Sequence, residues 1–213
     1  MKTKVKTVLV LLLTTALVLQ VFTSVPSFAA ETDTDYKAAY YKLIKELHNS
    51  DEFEGGTDRY KLIYLDNDSI PELLVVDVPS DTYHNNGTYR YDLYTFYDGK
   101  AILLGCYASG VASAGGYRGD TSYIKKSGKL LETYVAAASG DGENIVYSLQ
   151  NGEMVEIARG AFNIASETTK WNGKEMSSEK YTKKLNKVFK TKKAISFEGI
   201  KTISYRSMRK KLK

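Results

Sequence analysis

The chain has 213 residues, 43% of them hydrophobic and 26% charged, with one cysteine and two histidines. That composition excludes an internal disulfide and a four-ligand structural zinc site built from histidine and cysteine alone, so stability must come from a buried core, which a chain of this length can supply as one domain. The formal net charge of +5 hides an asymmetry: residues 30–167 carry 12 basic against 22 acidic side chains, and residues 168–213 carry 15 against 3.

Residues 1–29 have the three parts of a secretory signal peptide. Lys2, Lys4 and Lys6 form a basic start, and Val8 to Val21 is apolar except for Thr14, Thr15 and Gln20. Ser27 and Ala29, after Pro26, fit a small-x-small cleavage site. The apolar run is shorter than the roughly 20 residues that cross a bilayer, and no later segment is apolar enough, so no transmembrane segment is expected after cleavage. The expectation is a secreted, extracellular protein, cell-wall associated where its charge allows, with a mature chain of Ala30–Lys213 forming a single domain.

"DYKAAYYKLIKELHNS" places Tyr36, Ala39, Tyr40, Leu43, Ile44 and Leu47 at three- and four-residue steps, which predicts a helix with one apolar stripe, capped by Asp33 or Thr34. From Arg59 the period changes to two. "YKLIYL" and "ELLVVDV" read as strands, the second apolar at consecutive positions and therefore covered on both faces. "YRYDLYTFYDGKAILLGCY" reads as a hairpin turning at Asp98-Gly99, and further strands are expected at "TSYIKK", "KLLETYVAAA", "ENIVYSLQ" and "EMVEIARG". "SSEKYTKKLNKVFK" predicts a second helix with Tyr181, Leu185, Val188 and Phe189 inward and Lys183, Lys184, Lys187 and Lys190 toward its carbonyl end. A last short helix is expected over 204–212. The fold class is therefore α+β: an antiparallel β-meander of roughly seven strands flanked by N-terminal and C-terminal helices.

The densest chemistry lies in "YLDNDSIPELLVV". With Tyr64 at the first position of a metal loop, Asp66, Asp68, the Ile70 carbonyl and Glu72 fall at the third, fifth, seventh and ninth, the alternation a calcium loop uses. Tyr64 stands in place of a first carboxylate and Ser69 in place of a bending glycine. The first reading is therefore a turn in which Asp66 and Asp68 accept backbone N–H groups and Pro71 stiffens the exit, with a weak calcium loop as the alternative.

"LDNDSIPELLV" resembles the Asp-x-Asp-x-Asp-Gly-Ile-Pro-Glu-Leu segment of many secreted, largely uncharacterised proteins of Gram-positive bacteria. The later "WNGKEMSSEKYTKKLNKVF" is similar to their Asn-Gly-Lys-x-x-Ser-x-x-x-Tyr helix start, and the order of the two pieces agrees. Their acidic loop in turn resembles the calcium loops of integrin-type repeat proteins. The resemblance implies an extracellular sheet domain, with calcium as the one cofactor and Asp66, Asp68 and Glu72 as its ligands. It implies no reaction.

Other candidates are thinner. His84, Asp141 and Glu143 are the residues a hydrolase would need, and a Cys106–His84 pair the thiol version, although Cys106 reads as a small buried strand residue. Arg118-Gly119-Asp120 matches an adhesion tripeptide on what reads as an exposed segment. Asn67-Asp68-Ser69 and Asn86-Gly87-Thr88 are formal glycosylation acceptors. Seventeen tyrosines suit cross-strand packing, or a platform for carbohydrate. The basic C-terminal segment, about 168–213, reads first as the solvated face of a terminal helix, and alternatively as a surface for anionic cell-wall polymer, carbohydrate or lipid headgroups, which an exported protein meets rather than nucleic acid. The sequence thus points to a monomeric, non-enzymatic extracellular binding or structural module that binds calcium weakly. A cell-envelope adhesin and a secreted hydrolase are the rival readings.

Overall fold

The computed structural model describes residues 33–50, 58–77, 88–111 and 116–213. The signal segment 1–29, His84 and Asn86-Gly87 lie outside the described residues. Within them, helix α1 (Asp33–His48) precedes ten strands taken in chain order. These are β1 (Arg59–Ile63), β2 (Glu72–Asp77), β3 (Thr88–Tyr97), β4 (Lys100–Val111), β5 (Tyr117–Ile124), β6 (Lys129–Ala136), β7 (Asp141–Gln150), β8 (Glu153–Asn163), β9 (Thr168–Trp171) and β10 (Lys174–Met176). Helix α2 (Ser178–Val188), strands β11 (Ile195–Ser196) and β12 (Ile203–Ser204) and helix α3 (Tyr205–Lys211) complete the chain.

Neighbours in sequence are neighbours in the sheet from β1 to β10, every pairing antiparallel, with β12 added beside β1. The meander is as expected, but the sheet has 12 strands rather than roughly seven. The eight long strands are those the periodicity marks. β9 and β10 are too short and polar to show a period of two, and β11 and β12 are two residues each, ordered by the strands they pair with. Asp98-Gly99 closes the β3–β4 hairpin with both residues at positive φ, 51° and 73°, and Asn172-Gly173 does the same for β9–β10.

The sheet divides at one point. β4 pairs with β5 only at Gly110↔Gly119 and Val111↔Arg118, and β11 pairs with β5 farther along, at Ser122 and Tyr123. The strand pairs thus form two halves, β1–β4 and β5–β10, that share one core. Ile63, Leu65, Leu74, Val76, Tyr91 and Leu93 from the first meet Tyr123 and Leu130 from the second, around Phe197. The opposite face of β1–β3 packs Leu73, Val75, Tyr94 and Phe96 against Tyr40 and Ile44 of α1 and Met208 of α3. The opposite face of β5–β9 packs Leu131, Val146 and Trp171 against Tyr181 and Leu185 of α2. Leu73-Leu74-Val75-Val76 therefore alternates between two cores, which is why all four are buried. At about 1.5–3 kcal/mol per fully buried aliphatic side chain, this one strand is a large fraction of the domain's stability.

Candidate functional site

The acidic loop joins β1 to β2, and its carboxylates face the backbone. Asp66 Oδ1 accepts the Asp68 N–H at 3.1 Å, and Asp68 Oδ1 accepts the Ile70 N–H at 2.8 Å, two successive side-chain turns. Glu72 is 1% exposed, and its Oε2 accepts the Leu65 N–H at 2.7 Å. The other rim is tied to the β5–β6 turn: the Tyr64 carbonyl accepts Lys126 N–H at 2.9 Å, and the Leu65 carbonyl accepts Ser127 and Gly128 N–H at 2.8 and 2.7 Å. Lys125 and Lys126 ammonium groups stand 5.9 and 6.0 Å from the Tyr64 ring.

Burial pushes the Glu72 carboxyl up to about 8, the Leu65 N–H working the other way and Asp66 and Asp68 adding to the rise. A calcium ion needs ionised oxygens gathered on one point. Here Glu72 is turned inward, Asp66 and Asp68 order their own turn, and among the described residues no three His, Cys, Asp or Glu side chains form a ligand group. In this arrangement one oxygen of each of the three carboxylates accepts a backbone N–H.

The basic segment is organised differently from its sequence. α2 begins after Ser177, whose carbonyl accepts the Tyr181 N–H, and seats Tyr181 and Leu185 in the core, with Phe189 just beyond its end. Asn144 Nδ2 donates to the Tyr181 hydroxyl at 2.8 Å and is itself bonded to Thr133, so a polar chain fixes the helix's angle on the sheet. Gly160 lets the ring approach: a Cβ there would lie 2.3 Å from the Tyr181 oxygen. The end of α2 is satisfied by Lys129, whose ammonium donates to the Val188 carbonyl at 2.6 Å. Outward, Lys180, Lys183, Lys184, Lys187 and Lys190 are exposed. Only Lys183 has an acidic partner among the described residues, Glu179 at 2.6 Å. Arg206, Arg209, Lys210 and Lys211 of α3 lie over a different core, so the basic segment divides between two faces.

The remaining sequence candidates are separated. Asp141 accepts Asn163 Nδ2 at 2.7 Å, which holds it below the usual carboxylate range, while Glu143 pairs with Arg159 at 2.6 Å, which Glu156 also holds. Cys106 is exposed, not buried. It lies on β4 opposite the buried Asp92, and its sulfur is 3.8 Å from Arg90, which grips Asp92 through two bonds of 2.9 Å. Partial cover and the Asp92 carboxylate push its thiol up, against the pull of Arg90. Arg118-Gly119-Asp120 lies inside β5, not on a loop, and Asp120 accepts hydroxyls of Ser109 and Ser196 at 3.1 and 2.6 Å. Eight tyrosines among the described residues are buried, including Tyr91, Tyr107 and Tyr123, which surround Phe197 at 5.4, 6.3 and 5.9 Å.

One cluster has no sequence signature. Asp58, 2% exposed, receives the Tyr60 hydroxyl and lies 3.3 Å by both oxygens from His48 Nδ1. The His48 ring stacks on Tyr205 at 3.8 Å. It ties the end of α1 to β1 and α3, three segments whose spacing matches no motif. Compared with models of known families, with curated proteins and with solved structures, the chain shows no match.

Proposed function

We propose that the protein is an exported, non-enzymatic binding module that holds an anionic polymer of the cell envelope against the exposed face of α2. The observation that carries this is the row of four exposed lysines there, with Lys190 just past the helix end, balanced by a single paired glutamate. Lys180, Lys184 and Lys187 recur at helical spacing, a column about 10 Å long at 1.5 Å per residue. Lysine ammonium groups are flexible point charges, suited to a polymer of irregular shape rather than to one planar ligand. The helix beneath is rigid, anchored by Tyr181 and Leu185, so ordering it on binding costs little. The signal-like segment at residues 1–29 supports export. The engagement of Asp141, Glu143 and Asp120 in local pairs supports a role other than catalysis.

The test is co-sedimentation with isolated bacterial cell walls. The protein pellets with walls at low salt and is released as salt rises to about 0.5 M, where the Debye length falls below the reach of a lysine side chain. Lys180→Gln, Lys184→Gln and Lys187→Gln together abolish pelleting, while Arg206→Gln, Arg209→Gln and Lys210→Gln on α3 leave it intact. Wild-type protein that stays in solution at low salt would overturn the proposal.

A further inference from the structure

We propose that the cavity between the β6–β7 and β8–β9 turns binds the free carboxylate end of a peptide terminating in a small apolar residue. The cavity has a volume of about 330 Å³, with Val135, Ala137, Ala138, Ile164 and Ala165 in its walls and, among the described residues, Arg118 as its one charged lining residue. That volume is at the low end of ligand cavities, which span about 300–1,000 Å³, so it admits one or two residues and no longer segment.

The walls are held in place. Gly140 N–H donates to the Ala136 carbonyl at 2.8 Å, and Ile164 N–H to the Gly140 carbonyl at 2.9 Å. Asn163 bridges the two turns, its amide donating to the Ser139 carbonyl and Asp141 while its oxygen accepts Ser166 N–H at 2.7 Å. A ligand therefore meets a preformed surface. Ile164 is 63% exposed, an aliphatic side chain that a ligand methyl would cover. Arg118 is exposed and has no acidic partner among the described residues, although it lies in the acidic part of the chain. Its guanidinium can hold a carboxylate by two parallel N–H···O bonds. Alanine- and valine-sized walls beside one guanidinium match a terminal carboxylate next to a small side chain. The Arg-Gly-Asp tripeptide does not act as a unit here, because Asp120 is bonded to Ser109 and Ser196.

The test is calorimetric titration of the purified protein with N-acetyl-Ala-Ala, beside its C-terminal amide and propionate. The acid binds, and the amide and propionate bind about tenfold more weakly or worse. Arg118→Gln weakens the acid by a similar factor, and Arg118→Lys restores part of it. Ala138→Leu, at an exposed position, fills the cavity and abolishes binding. Equal binding of acid and amide, or an unchanged Arg118→Gln variant, would overturn the proposal. Propionate as tight as the dipeptide would overturn it too, by showing that no peptide end is read.

Discussion

Replacing Glu72 by glutamine separates a buried neutral acid from a carboxylate that serves as a ligand. The folded-state value of about 8 lies above the ordinary 4.5, so the folded form keeps its proton to higher pH than the unfolded chain. The contribution of Glu72 to stability is therefore greatest below pH 4.5, declines as pH rises from 4.5 to 8, and stays at its minimum above. Carrying the charge in place costs at most about 5 kcal/mol, at 1.36 kcal/mol for each pKa unit. Glutamine keeps an oxygen for the Leu65 N–H and never ionises, but its second amide hydrogen needs an acceptor, a loss of about 1 kcal/mol. Urea unfolding at pH 5, 7 and 8.5 is the assay. The variant should be slightly less stable than wild type at pH 5 and more stable at pH 8.5, with similar m-values. A variant whose deficit grows with pH would refute the reasoning, since it would show that the ionised carboxylate stabilises the fold.

Three further outcomes follow from the same geometry. Millimolar calcium against chelator should leave the unfolding midpoint unchanged, whereas a ligand at a hundred times its dissociation constant would add about 2.7 kcal/mol, or roughly 5–10 °C. An increase of that size, lost in Asp66→Asn with Asp68→Asn, would restore the calcium loop. Gly160→Ala should cost about 1–3 kcal/mol by forcing Tyr181 off the sheet. It should also change the emission of Trp171, the only tryptophan, whose ring centroid is 5.7 Å from that of Tyr181. Asp58→Ala should cost about 1–3 kcal/mol in urea unfolding, because the Tyr60 hydroxyl loses its buried acceptor. His48→Gln, at a partly exposed position, should cost less.

The legible parts of this fold are those whose cause is local. The Tyr36–Tyr40–Ile44 stripe announces α1, and four consecutive apolar residues announce that β2 is covered on both sides. β9 and β10 are not legible because "TTKW" and "KEM" owe their strand form to pairing with a neighbour. At the acidic loop, alternating Asp66 and Asp68 can chelate a cation or hold N–H groups two residues on, and the pattern is the same. The choice depends on the inward Glu72 and on a β5–β6 turn some sixty residues away, beyond the reach of any local reading. The basic segment misleads for a related reason. Its lysines and arginines are contiguous in the chain, but α2 and α3 each follow an apolar stripe to a different core.

The most direct test of the central claim is the salt dependence of binding to a purified wall polyphosphodiester. If α2 lysines hold phosphates, log K falls linearly with log salt at about −0.7 for each flexible-strand contact, a slope of roughly −2 to −4 for three to five lysines. The Lys180→Gln, Lys184→Gln, Lys187→Gln protein should lose about two of those slope units. A flat salt dependence, or a variant with the wild-type slope, would contradict the account.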